Sequence, residues 1–399
     1  RDVERSRGLG DVYKRQLEPL RGWACQRAHS RCFGREGCQL SVGRPSVVML
    51  GPSLESHGGM ASCASTLLNG GLDRRCNVRY LATTEEGCKA RKLACGLSTL
   101  FVFSREAKDC DLVHIHFSYG VSMTRKALFV RRAKNMGKKV ILHSHSSAME
   151  RAILEGDSGS KNEIKKFLSL ADALIVLSSK WKDLICDELD IKRSIVHVIP
   201  NGVPLGDPSA KPDHDERSCC NILFLGRLEE EKGVGTLIEA TGALVRNGAV
   251  IELVLAGSGS DEETQRYQLL ARREGVNCSF VGWVDSEKKR DLLVEADVFA
   301  LPSKREVLPI SLLEAMGAGV ASVASDCGSV PEVIHHGRNG MLCEPGDPES
   351  LRTCLALLVQ DPVLRKRLAI QGFETVKKGY SVENSVDALL GLYKEVLHG

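Results

Sequence analysis

The chain has 399 residues, 43% of them hydrophobic and 26% charged, with 54 Lys and Arg against 51 Asp and Glu. That length exceeds one ordinary core and fits two domains, and the composition is that of a globular protein. A formal net charge of +3 is too small to imply a nucleic-acid partner, yet it allows loose contact with an anionic membrane surface.

Residues 1–44 are rich in Arg, carry Cys25, Cys32 and Cys38, and show neither a hydrophobic period nor the apolar stretch of a secretory signal. They read as a disordered leader or as translated sequence foreign to the gene; a zinc-binding or basic targeting segment is the sharper alternative. The 15 cysteines are an odd number without a C-x-x-C. They fit reduced, mostly buried thiols of a cytoplasmic enzyme better than a zinc site or a disulfide scaffold. No apolar run reaches the ~20 residues of a membrane-spanning helix.

From residue 45 the chain alternates. Ser46 to Ser53 is a continuous apolar run ending in Gly-Pro, the pattern of a buried parallel strand. His57-Gly58-Gly59-Met60 and the small-residue helix ASCASTLLNGG follow, a Rossmann-type opening of strand, glycine loop and helix. Further strands are predicted at Val78–Ala82, Leu112–His116, Lys139–His145 and Leu174–Leu177, with a helix over Ser122–Met136. His197 to Asn201 closes this half. Gly202 to Ser218 is rich in Pro, Gly and charge and reads as a linker.

Alternation then restarts with strands in NILFLGRL, IELVLAGSG, CSFVGWV and VFALPS. Helices are predicted near Gly235–Arg246, at Asp261–Glu274 and at Ser286–Ala296, and two or three more from Glu349 onward. The expectation is an α/β protein of two doubly wound, Rossmann-like domains. The boundaries are 1–44 leader, 45–201 first domain, 202–218 linker, 219–375 second domain and 376–399 a last helix.

The segment Pro302 to Gly340 concentrates the chemistry. Pro302 and Pro309 leave Glu306 in a loop, and Pro309 opens the helix ISLLEAMGA. Free N–H groups at such a helix start form an anion site. Glu306 before it and Glu314 two turns in suit a ligand with hydroxyls at both ends and phosphate between, as in a nucleotide sugar.

The order E-V-L-P-I-S-L-L-E-A-M, G-S-V-P-E-V-I, N-G resembles the retaining glycosyltransferases of family 4, with the GT-B fold, from about Pro45 to the C-terminus. The resemblance implies two Rossmann-like domains facing a cleft, the acceptor on the first and the donor on the second, with the last helix crossing back to brace the first. It implies that Glu306 and the amides of Val307 and Leu308 hold the donor sugar, and that Glu314 binds the ribose hydroxyls. Two departures stand out: Val307 where the family has Gly, and Ala321 where it has Pro.

Arg227 and Lys232 in GRLEEEKG match the cations that the family sets on the donor diphosphate. Fixed cations stabilise a departing nucleoside diphosphate without a metal. Gly58 and Gly59 match its glycine loop, where a bare backbone can approach phosphate or acceptor, or simply make a tight turn. Gly282-Trp283-Val284 resembles the segment whose backbone meets the base; Trp283 either stacks or stands free in its loop. His143 and His145 share one strand face, and His145 matches the histidine that reaches the reacting sugar. A metal is the alternative for this pair, but no third ligand is evident nearby. His116 either lines the cleft or fills it. The strings Asp109-Cys110-Asp111 and Asp213-His214-Asp215 are read as structural, and no metal or cofactor is expected. The resemblance thus implies an enzyme moving a hexose from a nucleotide sugar to a glycan or lipid-linked acceptor, in the cytoplasm or at the inner face of the membrane. An epimerase or hydrolase on the same fold, or a non-catalytic relative, is the alternative.

Overall fold

The computed structural model describes residues 44–85, 89–208 and 219–399. The expected leader, Arg44 apart, and the Asp213-His214-Asp215 string lie outside these residues. From Arg44 to Gly399 the chain forms one compact unit built on two six-stranded parallel sheets.

The first sheet comprises β1 (Ser46–Gly51), β2 (Asn77–Ala82), β3 (Leu112–Phe117), β4 (Lys139–Ser144), β5 (Ala173–Val176) and β6 (Val196–Val198), in the order β2-β1-β3-β4-β5-β6. β1 is apolar on both faces, and β3 and β4 are buried on both though one face carries His114, His116 and His143, because helices cover the sheet; Val47, Val48, Met49 and Leu50 are fully buried. The helices are α1 (Gly59–Leu67), α2 (Lys89–Glu106), α3 (Val121–Asn135), α4 (Ser147–Leu154), α5 (Ser158–Leu168) and α6 (Ser179–Leu189). Sequence reading omitted α2, α4, α5 and α6. Two of them announce themselves by caps: Asp157 accepts the Ser160 N–H, and Ser178 accepts the Trp181 N–H.

The second sheet comprises β7 (Cys220–Leu225), β8 (Ile251–Ala256), β9 (Asn277–Gly282), β10 (Val298–Leu301), β11 (Ala321–Ser325) and β12 (Met341–Cys343), ordered β12-β11-β10-β7-β8-β9. Around it lie α7 (Val234–Arg246), α8 (Asp261–Glu274), α9 (Ser286–Glu295), α10 (Ile310–Gly317), α11 (Val330–Val333), α12 (Pro348–Gln360), α13 (Pro362–Gly379) and α14 (Val382–His398). Ala321 occupies the first position of β11 opposite Val298. Asp111 accepts the Ser46 N–H at 2.7 Å, tying the start of β1 to that of β3.

The expected boundary at residue 375 falls inside α13. α14 packs on the first sheet: Val386, Leu389 and Tyr393 join Val47, Met49, Ile141 and Ile175 in one buried cluster. At its start the Val203 N–H donates to the Tyr380 carbonyl and the Val382 N–H to the Val203 carbonyl, both at 3.0 Å. The expected linker therefore begins pinned to α14. Strand order reverses direction between β1 and β3 and again between β7 and β10, the crevices where doubly wound sheets bind ligands.

Candidate active site

The carboxyl ends of both sheets open on one cleft of about 610 Å³. Gly58, Gly59, His145, Arg227, Lys232, Trp283, Val284, Glu306, Val307, Leu308 and Glu314 all line it. Gly282 stands just behind: its carbonyl accepts the Gly257 N–H at 2.7 Å, and its φ is 69°.

The cations come from the turn after β7. Arg227 is 64% exposed and pairs with Glu229 at 2.5 Å. Lys232 ends a single 3-10 turn closed by Gly233, whose φ is 71°. A Cβ there would meet the Pro302 carbonyl oxygen at 1.9 Å, so only glycine lets the lysine turn pack on the carboxylate loop. Lys232 Nζ lies 2.6 Å from Glu306 Oε1, and Ser303 Oγ donates to the same oxygen at 2.8 Å.

The loop Glu306–Leu308 is braced from behind. The Ser329 N–H donates to the Val307 carbonyl at 3.0 Å, and Asn201 Nδ2 to the Leu308 carbonyl at 3.1 Å. Val307 fits without left-handed backbone: among the described residues Asp190 is the only non-glycine with positive φ. α10 then begins after Pro309 with no side-chain cap, and Ile310 and Ser311 face the cleft. Free first-turn amides and the positive end of the helix dipole are thus presented there.

Glu314 lies one turn into α10, where two were expected, because the helix begins at Ile310; it pairs with Lys289 of α9 at 2.5 Å. Sequence reading missed Lys289, because a lysine in the run Lys288-Lys289-Arg290 looks like solvated helix surface. Trp283 stacks on His57 of the glycine loop, with centroids 4.2 Å apart and planes at 23°. Trp283 therefore does not stand free in its loop: its ring partner, His57, belongs to the opposite layer.

Four histidines meet beneath the glycine loop. β3 and β4 pair in register with His116 opposite His143, so alternation collects His114, His116, His143 and His145. Adjacent rings lie 4.2–5.3 Å apart. His116 Nδ1 and His145 Nε2 are 2.9 Å apart, His114 Nε2 and His143 Nδ1 3.2 Å, and His114 Nδ1 and Tyr393 Oη 2.7 Å. Burial pushes His145 down to about 3, and burial with the charge of His145 pushes His114 to about 3. Burial holds His116 and His143 well below the usual value. All four are neutral near pH 7, and His116 fills the interior. Ligating side chains do lie near each histidine, but in two separate groups, Cys63 and His116 with His145, and His114 and His116 with His143; among the described residues no such group takes both members of the expected pair. Pairing across the sheet brings together residues 29 positions apart that no local spacing reveals.

Two cations, a helix start, two carboxylates and a neutral imidazole across the cleft thus converge between the two parallel sheets of a GT-B frame. Residues 58–207 match the family model described as Glycosyltransferase Family 4, and residues 220–375 that of Glycosyl transferases group 1. The chain belongs to the group 1 glycosyltransferases.

It is 27% identical over 288 residues to the amylovoran biosynthesis glycosyltransferase AmsK of Erwinia amylovora, covering 69% of this chain and 67% of that protein. To the phosphatidyl-myo-inositol mannosyltransferase of Mycobacterium leprae it is 29% identical, over 68% of this chain and 70% of that one. The fold matches Anabaena Alr3699/HepE in complex with UDP and glucose, with a TM-score of 0.71 at 15% identity over 88% of this chain and all of that one. The chain is thus a glycosyltransferase.

Proposed function

We propose that the protein is a retaining hexosyltransferase that takes its sugar from a nucleotide-sugar donor, with no metal in the reaction. The observation that carries this reading is the convergence of Arg227, Lys232, Glu306, Glu314 and the start of α10 on one cleft. Arg227, Lys232 and the α10 amides receive the diphosphate and stabilise the charge that grows on it as the sugar leaves. Glu314 accepts from the ribose hydroxyls, and Glu306 with the Val307 and Leu308 amides holds the sugar. Neutral His145 polarises the sugar from the opposite layer. The glycosyl bond breaks towards the phosphate oxygen, which takes the acceptor's proton as the new bond forms on the same face, so the anomeric configuration is kept. Trp283 on His57 gives the base a flat support. That the solved relative Alr3699/HepE binds UDP-glucose favours a uridine donor.

The acceptor is a glycan or a lipid-linked sugar, bound over Gly58 and Gly59. No helix among the described residues is long and apolar enough to cross a membrane. A lipid-linked acceptor would be met by peripheral contact at the cytoplasmic face, favoured by the net positive charge.

Thermal stabilisation by a panel of nucleotide sugars selects the donor. The anomeric configuration of the glycosylated acceptor, read by NMR, then tests the mechanism. An inverted product would overturn retention. A free sugar or an epimerised donor, with no glycosylated acceptor, would overturn transfer. A strict need for Mn²⁺ would overturn the metal-free step.

A further inference from the structure

Cys63 on α1, His116 near the end of β3 and His145 just past β4 each offer one ligand atom, and these atoms all lie within 4.8 Å of one another. We propose that these three side chains form a binding site for a divalent transition metal of zinc type, and that its occupation withdraws His145 from the donor cleft.

The donor set is chemically apt. One thiolate and two imidazoles are ordinary zinc ligands, with bonds of about 2.0–2.3 Å, and small rotations of the side chains draw the three atoms onto one ion. A second, independent feature points the same way. His116, common to this trio and to a deeper one, is fully buried, and its Nε2, like that of His143, has no hydrogen-bond partner among the described residues. An orphaned polar atom in the interior is costly unless something occupies it, and a metal ion would use that lone pair. The rings around it are already held: His116 stacks on His114, and His114 is fixed by Tyr393 Oη at 2.7 Å. Outer contacts of this kind orient metal ligands.

A deeper trio, His114, His116 and His143, has similar spacing, but charge decides against it. Those three neutral rings would bury a doubly charged ion with no anion beside it. Cys63 supplies a negative charge, and His145 opens on the cleft and provides an entry path. Binding is balanced by proton release: the buried Cys63 thiol gives its proton to solvent as the sulfur–metal bond forms.

The effect on turnover rests on the reading of His145 as the group that faces the donor sugar; the binding itself does not. The full chain, freed of metal by chelation, is titrated with Co²⁺. We expect one thiolate-to-cobalt charge-transfer band, absent in Cys63→Ser although the other 14 of the 15 cysteines remain. Zn²⁺ affinity, measured by calorimetry, should fall at least ~10-fold in His145→Gln, a change at the cleft edge that keeps the core intact. Melting curves in chelator confirm that both variants fold. A band unchanged in Cys63→Ser, or a folded wild type that binds no Co²⁺ below millimolar concentration, overturns the site. Zn²⁺ should inhibit transfer by the wild type and spare Cys63→Ser. Metal binding without inhibition would overturn the withdrawal of His145 while leaving both the site and the transferase reading in place.

Discussion

Lys232 Nζ sits 2.6 Å from Glu306 Oε1 and joins the basic turn after β7 to the carboxylate loop after β10. The two side chains are only 22% and 10% exposed, so this is not a solvated surface pair. Each fixes the other before any ligand arrives, which is the preorganisation that electrostatic catalysis needs. Arg227 differs: it is mostly exposed and pairs with the neighbouring Glu229.

The two cations should therefore behave differently on removal. Arg227→Ala should lower kcat by about 2–4 kcal/mol, the loss of one charge-stabilising donor, with the melting temperature unchanged. Lys232→Ala should lose as much activity and also melt earlier, since Glu306 keeps Ser303 but loses its counter-charge. Steady-state kinetics and thermal melts of the two variants check this, and wild-type kcat/KM in either would remove that residue from the leaving-group role.

Glu314 should matter for nucleotide binding more than for chemistry. Its carboxylate lies one turn beyond the amides at the start of α10 and is held by Lys289. Hydrogen bonds to a charged group contribute about 1.5–3 kcal/mol each. Glu314→Gln should thus raise donor KM and weaken free nucleoside diphosphate roughly tenfold or more, whereas Glu306→Gln should mainly lower kcat. Because Lys289 touches Glu314, Lys289→Ala and Glu314→Gln should not be additive in nucleotide affinity. Additive losses would mean that Lys289 contacts the ligand independently.

Most strands and the two sheets were legible from local signals, continuous apolar runs and glycine turns, although the short β12 was missed; the cluster Arg227, Lys232, Glu306, Glu314 came from the resemblance to family 4, with the proline opening α10 as its local mark. What escaped is what depends on partners far along the chain. Lys289 looks like solvent-facing charge until α9 is seen beside α10. The His114–His116 pair reads as ordinary strand until β4 lies in register beside it. Cys63 is one small residue in a helix of small residues. The helices α4 to α6 were missed although their buried residues fall at helical spacing: Met149 and Ile153 in α4, Ile164, Phe167 and Leu168 in α5, Trp181, Ile185 and Leu189 in α6; the caps at Asp157 and Ser178 mark two of their starts. Val307, a departure from the resembling family, keeps ordinary backbone angles, so the sequence warning was about ligand approach and not about the loop's geometry.

Three buried neutral histidines, with the half-buried His145 at the cleft, should make stability steeply pH-dependent. His114 and His145 sit at about 3, with His116 and His143 well below their usual value, chiefly through burial. In the unfolded chain each returns to about 6.5. Above that pH both states are neutral and the rings add no dependence. Below it the unfolded chain binds protons that the native state refuses. Stability should therefore be complete above about pH 6.5 and fall as the pH drops towards 3, by up to ~1.4 kcal/mol per pH unit for each ring. Melting in chelator from pH 7.5 to 5 measures the slope, and His143→Asn should make it shallower. A flat profile would show that protons reach these rings in the folded state.

The segment Cys327–Glu332 touches the donor loop on one side and the opposite layer on the other, so it should set the closure of the cleft. On the donor side, Gly328 has φ 53°, and a Cβ there would meet the Glu306 carbonyl oxygen at 1.7 Å; the Ser329 N–H holds the Val307 carbonyl. On the other side, the Glu332 carboxylate accepts the Ser179 and Lys180 N–H groups at 3.0 and 2.9 Å. It thus caps the start of α6 from outside and meets its positive dipole end. Ser329 Oγ also lies 2.6 Å from Ser178 Oγ, and Lys180 Nζ donates to the Gly328 carbonyl at 3.1 Å. Glu332→Ala removes both carboxylate contacts and leaves the core of either layer untouched. The freed amides can turn to water, so the chain should still fold, with each lost bond to the carboxylate worth about 1.5–3 kcal/mol to the closed arrangement at most. We expect a larger radius of gyration in solution scattering without ligand, contraction on adding nucleotide sugar, and a raised donor KM with kcat less affected. Gly328→Ala should instead lower kcat, because its Cβ displaces the Glu306 backbone. An unchanged scattering curve together with wild-type donor KM in Glu332→Ala would show that closure is governed elsewhere, with the His57–Trp283 stack the next contact to remove.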